Sequence, residues 1–562
     1  MTMKNIVRYM LIGTVMLSTV GCDIDMVPET SMTDAAYWKT EGDLRGACNR
    51  FYEQLNGNNA LGGGFAHDYR SDELNNNGAA NSTSDGSWTI PSESGTWTDA
   101  YWRIFIANNI IEKAPRAAVS ESVLNRYLAE ARFFRAYYYF ELVKKYGDVP
   151  LLLKAINSTK DPALMMARTP REEVMQQVFE DLDFAQTWLP DIDASEITSN
   201  WGHVSKQAAT AMIVRSELFE GTYSRYHSLG SDYEAHLRKS VAAAESLING
   251  RKFDLYPDFQ DLFMVKAEGR QNKENIFVKA YGPNGSGAST KHGNSRQMEN
   301  AVTLTRNMVD LFLYTDGLPR EKSPLKIAPE TSFDDVFTNR DPRLGMTIYK
   351  IGEDAYKGAY TPFSFRYGYN LKKGFDLEQW GSNSNEWTDK MIIRYAEVLI
   401  SYAEALYELN GNITDAQLDA TVNALRRRVG MPAMLTNAFA TANGLNVRDE
   451  IRRERTIEFI DEGKRYDDII RWKIAENVLP VDIIGAKFID SEASKQKEDL
   501  ANRLTDEDGK LNGKLRYDES DMYVLEFAED RRFDASKDYL YPVPLYEISQ
   551  SGNNVTQNPN WK

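Results

Sequence analysis

Residues 121 to 146 most constrain the fold of this chain, because their apolar side chains recur at helical spacing on two different sides. One stripe consists of Leu124, Leu128, Ala131, Phe134, Tyr138 and Leu142. The other consists of Ala129, Phe133, Ala136, Phe140 and Val143. A helix that is apolar on two sides must pack between neighbours, so the pattern predicts stacked helical layers.

Similar amphipathic stretches occur along much of the chain. They are residues 96–116, 170–188, 203–225, 233–249, 389–409, 414–429, 446–462 and 464–476. Thr169 precedes Pro170 and is followed three positions later by Glu172, which predicts a capped helix start. Consecutive helices with alanine-rich seams resemble tetratricopeptide pairs, although the strict 34-residue signature is absent. We therefore predict a mainly α fold in which tetratricopeptide-like helix pairs form a superhelical scaffold.

Two long stretches lack helical periodicity. Residues 56–95 are rich in Gly, Asn and Ser, and residues 251–388 mix glycines, aromatic residues and short strand-like pieces. Loops of this length in a compact protein are usually functional. These stretches predict an irregular, loop-rich half with short strands that carries the ligand site, and residues 539–543 predict a terminal strand or extended segment.

The N-terminus has the pattern of an export signal. Residues 1–21 carry Lys4 and Arg8 before an apolar run of about twelve residues, too short for a spanning helix of roughly twenty. Small residues precede Cys22 as in a bacterial lipobox, which predicts a lipid on Cys22 and a tether over residues 22–34. A plain secretory signal with an incidental cysteine is the alternative. Residues 35–562 are predicted to form a single lobe.

The composition excludes several classes of function. Acidic residues outnumber basic ones, 82 against 66, which disfavours nucleic-acid binding because phosphate contacts require Lys and Arg. The five histidines do not fall at i, i+3 or i, i+4 spacing, so no metal site is predicted. The sequence calls for no cofactor.

Several motifs, in order along the chain, carry a resemblance to a known family. They are YLAEARFFRAYYYFELVKKYGDVPLL at 127–152, RYAEVLISYAEALYELNG at 394–411, IRRERTIEFIDEGKRYDDIIRW at 451–472 and YLYPVPLYEISQSGNNVTQNPNW at 539–561. With these motifs the chain resembles the SusD/RagB family of outer-membrane lipoproteins of Bacteroidetes-type bacteria. The resemblance implies a lipid-anchored, cell-surface protein that captures an oligosaccharide and delivers it to a SusC-like TonB-dependent transporter.

Glycan binding requires aromatic rings that stack on sugar faces and polar groups that bind hydroxyls. The two irregular stretches supply the candidates Trp88, Tyr69, Arg70, Tyr281, Trp380 and Trp387. Each has a structural alternative: Trp88 could plug its loop onto the helices, Trp380 and Trp387 could cover the following helix, Tyr281 could anchor a turn, and the Tyr69–Arg70 region could cap local structure.

No catalytic residue is predicted, since the common hydrolase, phosphate and dinucleotide motifs are absent. Two rivals remain: an all-helical glycosidase, which needs only two suitably spaced carboxylates, and a peptide-binding, RagB-like uptake protein. Charged residues inside the helices, such as Arg135, Arg394, Glu404 and Arg455, are predicted to form structural ion pairs. Cys48 is predicted to be a small buried hydrophobe.

Overall fold

The structure is a computed structural model. It describes residues 37–57, 66–76, 81–282, 291–299, 302–362, 368–487, 516–517 and 522–562. The predicted signal peptide, Cys22 and the whole tether lie outside the described residues, so those assignments stay predictions. None of the described helices is long and apolar enough to cross a membrane.

Helices account for most of the regular structure, as the fold-class prediction of a mainly α protein requires. The α-helices are α1 Glu41–Glu53, α2 Ser82–Asp85, α3 Gly95–Lys113, α4 Glu121–Tyr146, α5 Arg171–Trp188, α6 Ser195–Thr198, α7 Lys206–His227, α8 Tyr233–Gly250, α9 Asn294–Met298, α10 Arg306–Leu311, α11 Pro342–Thr347, α12 Leu377–Trp380, α13 Tyr395–Asn410, α14 Asp415–Ala420, α15 Val422–Arg428, α16 Asn437–Ala442, α17 Val447–Glu458, α18 Arg465–Arg471, α19 Ala475–Val478 and α20 Leu545–Gln550.

The strands are few and short. They are β1 Leu74–Asn76, β2 Asn275–Lys279, β3 Val302–Leu304, β4 Asp354–Ala355, β5 Gly358–Ala359, β6 Tyr369–Asn370, β7 Lys390–Arg394, β8 Ile483–Lys487, β9 Arg516–Tyr517 and β10 Met522–Glu526. They form two three-stranded sheets, in the orders β1-β3-β6 and β8-β10-β9, and the pairs β2-β7 and β4-β5. All these pairings are antiparallel.

The scaffold is a succession of packed helices in which α4 lies between α3 and α5, and α7 lies between α5 and α8. The residues from Ala129 to Val143 are buried, with Arg132 and Glu141 as the exceptions. Both apolar stripes of α4 therefore contact neighbouring elements, as predicted. Ser120 caps the start of the helix by accepting from the Val123 N–H, and Gly147 ends it at a positive φ of 70°.

Three local predictions were wrong. Thr169 does not cap α5: its hydroxyl accepts from the Leu151 N–H, and Pro170 takes the cap position without a side-chain hydrogen bond. The 389–409 stretch begins as strand β7 before α13, because Lys390–Arg394 pairs with β2. The stretch 414–429 divides at Thr421 into α14 and α15, although the predicted capping box of Thr414 and Gln417 is present.

The loop-rich half has its own apolar core. Leu74, Leu304, Phe312, Tyr369 and Leu371 lie in it, joined by Ile457 and Ile460 from the end of α17. Strand β7 connects the two halves, because Ile392 and Ile393 belong to the scaffold core while its neighbour β2 belongs to the 251–388 stretch. Trp387, three residues before β7, therefore lies on a segment that is attached to the helical scaffold.

The C-terminal segment packs back on the scaffold. The Tyr541 N–H donates to the Lys145 carbonyl at 2.7 Å, and the Asn558 side-chain amide donates to the carbonyls of Tyr146 and Tyr541. Residues 541–544 have an irregular conformation, so the extended segment predicted at 539–543 is held by these bonds rather than by a sheet.

Candidate functional site

Trp88 lies against the C-terminal segment. Its ring makes edge contacts with Tyr541 and Trp561, with centroid separations of 4.8 and 5.1 Å, and its indole N–H donates to Asp538 at 3.3 Å. The N–H of Leu545 donates to the Pro91 carbonyl, which fastens the same loop again. In this structure Trp88 has the contacts expected of a plug.

Arg70 and Tyr69 are also engaged inside the protein. The Arg70 guanidinium donates to both carboxylate oxygens of Asp68 and to the Tyr541 hydroxyl, and it lies 4.4 Å from the centre of the Tyr466 ring. The Tyr69 ring packs on the loop-half core, and burial raises the pKa of its hydroxyl. Arg70 and Trp88 thus both contact Tyr541.

Tyr281 is buried, with 4% of its surface exposed. Its ring makes an edge contact with His292 at 4.8 Å, and its backbone N–H donates to Asp389 at 2.8 Å. Burial lowers the pKa of His292 to about 4, so the ring is neutral at physiological pH. Tyr281 therefore supports its neighbours instead of presenting a face to solvent.

Trp380 is partly buried at the end of α12. Its indole N–H donates to Glu299, the Arg296 guanidinium lies 3.9 Å from its ring centre, and Tyr356 is 5.8 Å away. Arg296 also pairs with Glu299 at 3.0 Å. One face and the polar edge of this indole are therefore occupied, while the guanidinium adds a donor beside the ring.

Trp387 differs from the other tryptophans considered. Like Trp88 and Trp380 it is partly exposed, but among the described residues its ring makes no ring contact, cation–π contact or indole hydrogen bond. Its backbone N–H donates to the Gln379 side chain at 3.0 Å. Gly282, at a φ of +64°, lies so close that a Cβ there would be 2.3 Å from the Cβ of Trp387. The Gly282 backbone therefore lies against the base of the Trp387 side chain, while the indole has no ring or hydrogen-bond partner among the described residues.

Exposed polar groups lie on the segments next to Trp387. Lys291 donates to the Asn385 side-chain oxygen at 3.3 Å, and the Asn385 amide donates to the Ser382 carbonyl. Asn383 and Ser384 both have positive φ, so the loop between the two tryptophans turns sharply. We name Trp380, Trp387, Lys291, Arg296 and Asn385 the Trp387 surface. Arg296 was not predicted from the sequence, because it lies 84 positions before Trp380 on a different segment of the chain.

Charged residues inside the scaffold form ion pairs, as predicted. Arg394 binds Glu274, Glu458 and Glu462, each at 2.7 Å. Burial opposes ionisation of Glu404, yet Arg471 lowers the pKa of this carboxyl to about 2. Cys48 is buried, also as predicted. Within the described residues, no group of three or more His, Cys, Asp or Glu side chains could hold a metal ion.

Comparison with known proteins identifies the family. The SusD family profile matches residues 263–561, more than half of the chain, and a second profile, described as starch-binding associating with outer membrane, matches residues 29–218. The chain therefore belongs to the SusD family.

Relatives of known sequence or structure span nearly all of the chain. A SusD-like protein from Formosa agariphila, P2, is 25% identical over 97% of this chain and 98% of its own. A SusD-like carbohydrate-binding protein from Bacteroides fragilis superposes with a TM-score of 0.71 at 23% identity, covering 91% of this chain and 98% of its own. A laminarin-binding SusD-like protein gives a TM-score of 0.61 at 20% identity, with coverages of 93% and 100%.

Proposed function

We propose that this protein is a cell-surface lipoprotein that binds an oligosaccharide without cleaving it and delivers it to a SusC-like TonB-dependent transporter. Family membership supports the general role, since a solved relative is described as carbohydrate-binding and another as laminarin-binding. The observation that carries the choice of site is the unpartnered, partly exposed indole of Trp387.

The Trp387 surface combines the two components of sugar recognition. An indole face packs against the apolar C–H face of a pyranose, and such aromatic contacts contribute about 0.5–1.5 kcal/mol beyond area burial. Lys291, Asn385 and Arg296 are the neighbouring groups that would bind hydroxyls. The Gly282 backbone lies against the Cβ and Cγ of Trp387, which limits the positions open to the side chain and so lowers the cost of ordering the ring on binding.

Binding is tested with a panel of soluble glycans in affinity electrophoresis and calorimetry, with product analysis of each mixture. We expect retention by at least one glycan with no shorter sugars released. Release of shorter sugars would support the glycosidase alternative, and enrichment of peptides in place of glycans would support the RagB-like alternative.

Trp387→Ala tests the site, and Trp88→Ala is its matched control. We expect Trp387→Ala to weaken binding about tenfold, because the stacking face is lost while the Cβ next to Gly282 remains. Trp88→Ala should leave the affinity of the folded protein unchanged. Equal loss in both variants, or unchanged affinity in Trp387→Ala, would reject the Trp387 surface as the site.

The anchor and the transporter are tested separately. Cys22→Ala should abolish incorporation of radiolabelled palmitate and release the protein from the membrane fraction, because acyl chains provide the membrane affinity. The transporter is expected to co-purify with the affinity-tagged full-length protein from outer membranes. No labelling of the natural protein would favour a plain secretory signal, and labelling that persists in Cys22→Ala would place the lipid on another residue.

A further inference from the structure

A small cavity lies where α4, α7, α13 and α18 meet. Its volume is about 50 Å³, several times the roughly 10–15 Å³ that one water requires. Its walls are unusually charged. The cations are Arg70, Lys144, Lys145, Arg215, Arg455, Lys464 and Arg471, and the carboxylates are Glu141, Glu397, Asp467 and Asp468.

Most of these cations have acidic partners. Lys144 binds Glu141 and Asp467, while Arg215 and Lys464 share Glu397. Arg455 and Arg471 share Asp468. Two further carboxylates that do not line the cavity also form ion pairs with these cations: Asp68 with Arg70, and Glu404 with Arg471.

Lys145 is the exception. Its ammonium group makes no hydrogen bond or ion pair with any described residue. Its backbone carbonyl, in contrast, accepts from the Tyr541 N–H. Burial and the neighbouring Arg70 lower its pKa to about 8, so it remains mainly charged at neutral pH. The Lys145 side chain is partly exposed, and no carboxylate among the described residues pairs with its charge. Pairing the other groups thus leaves the cavity with one uncompensated positive charge.

We propose that this cavity binds one small monovalent anion, either a halide such as chloride or a small carboxylate such as formate. The anion accepts from the Lys145 ammonium and replaces the carboxylate that the chain does not supply. A neutral water would fill the space but leave the charge uncompensated. The bound anion would hold α4 against α18 in the scaffold and is separate from the glycan function.

Crystals of the protein soaked in sodium bromide test the site directly. We expect an anomalous peak within hydrogen-bonding distance of the Lys145 ammonium. Bromide peaks found only elsewhere, with none in the cavity, would overturn the proposal.

Thermal unfolding in solution supplies the second test. In halide-free buffer at matched ionic strength, chloride, bromide or formate should raise the melting temperature by about 1–2 °C relative to gluconate, because an anion bound only by the folded state stabilises it. A response to halides alone identifies a halide site, and a response to formate as well identifies a site for both.

Lys145→Met should abolish this anion dependence while keeping the aliphatic stem. Lys206→Met, at an exposed helical lysine, is the matched control and should retain it. Anion dependence that persists in Lys145→Met, or no difference between chloride and gluconate in the natural protein, would overturn the proposal. If Lys145→Met does not fold, the bromide measurement on the natural protein decides.

Discussion

Trp88 and Trp387 lie in similar sequences but in different environments. Each is flanked by short polar residues in an irregular stretch. In the structure Trp88 contacts two aromatic rings and donates to a buried aspartate, whereas the Trp387 indole has no partner among the described residues. The contacts of Trp88 come from residues more than 400 positions away, so a tryptophan's local sequence does not reveal whether its ring is a structural contact or a free surface.

The same contrast appears within one short segment. Trp387 lies just before β7, and Arg394 at its far end is fully buried among three glutamates. Seven residues thus separate a proposed ligand contact from a buried charge network. Affinity and stability should therefore respond to different substitutions in this region.

Arg394→Met should cause the largest effect, a loss of about 3–5 kcal/mol in the free energy of unfolding, because it removes the cation that three buried glutamates share and leaves them only Arg428, Arg343 and Lys373. Urea unfolding measures this loss. Glycan affinity of the folded fraction should not change. Arg238→Met, at an exposed ion pair with Glu234, is the control and should cost less than about 1 kcal/mol. Similar losses in both variants would contradict the assignment of stability to the buried network.

Trp88→Ala should lower the free energy of unfolding by about 2–3 kcal/mol, somewhat less than for a fully buried tryptophan. The lost contacts are those with Tyr541 and Trp561. Urea unfolding checks the contrast with Trp387→Ala. That variant should cost less than about 1 kcal/mol, because the Trp387 ring makes no ring contact or hydrogen bond among the described residues. A reversed order of stability would show that the two environments had been misassigned.

Gly282→Ala should lower stability by about 1–2 kcal/mol, because an added Cβ is disfavoured at positive φ and would overlap with Trp387. It should also weaken glycan binding, since the indole must shift. Calorimetry and urea unfolding measure the two effects. Gly352→Ala, at a positive φ of 87° with open space around it, controls for the backbone cost alone and should leave binding intact. Normal binding by Gly282→Ala would mean that the position of Trp387 is unimportant.

His227 in the scaffold and His292 next to Tyr281 allow a pH comparison. Burial lowers the pKa of each from 6.5 to about 4. Between these values the unfolded chain binds more protons than the folded one, so stability is full above pH 6.5 and falls as the pH decreases towards 4. Each histidine should cost about 1 kcal/mol at about pH 5.5, measured by urea unfolding.

The variants His227→Gln and His292→Gln should each reduce this pH dependence. Protonation of His292, but not of His227, should also weaken glycan binding. An unchanged slope between pH 6.5 and 5.5 in either variant would contradict the corresponding assignment.

Much of the fold was predictable because it depends on local periodicity. The two stripes of α4, the capping box at Thr414 and the helix end at Gly411 were read correctly from neighbouring residues. The strand β7 was not, because its residues Met391 to Ile393 are apolar enough for a helix and become a strand through pairing with β2. Thr169 likewise had a capping pattern but is used by Leu151, which lies 18 residues earlier.

The sequence alone determined the helical scaffold, the family and the residue types able to bind a glycan, since these depend on the order and periodicity of side chains within one segment. The tertiary structure decided which of those side chains are free. It joined Trp88 to the C-terminal segment, covered Trp380 with Arg296 and left Lys145 among cations without an acid of its own. Availability for a ligand depends on contacts between distant segments, and folding in three dimensions creates those contacts.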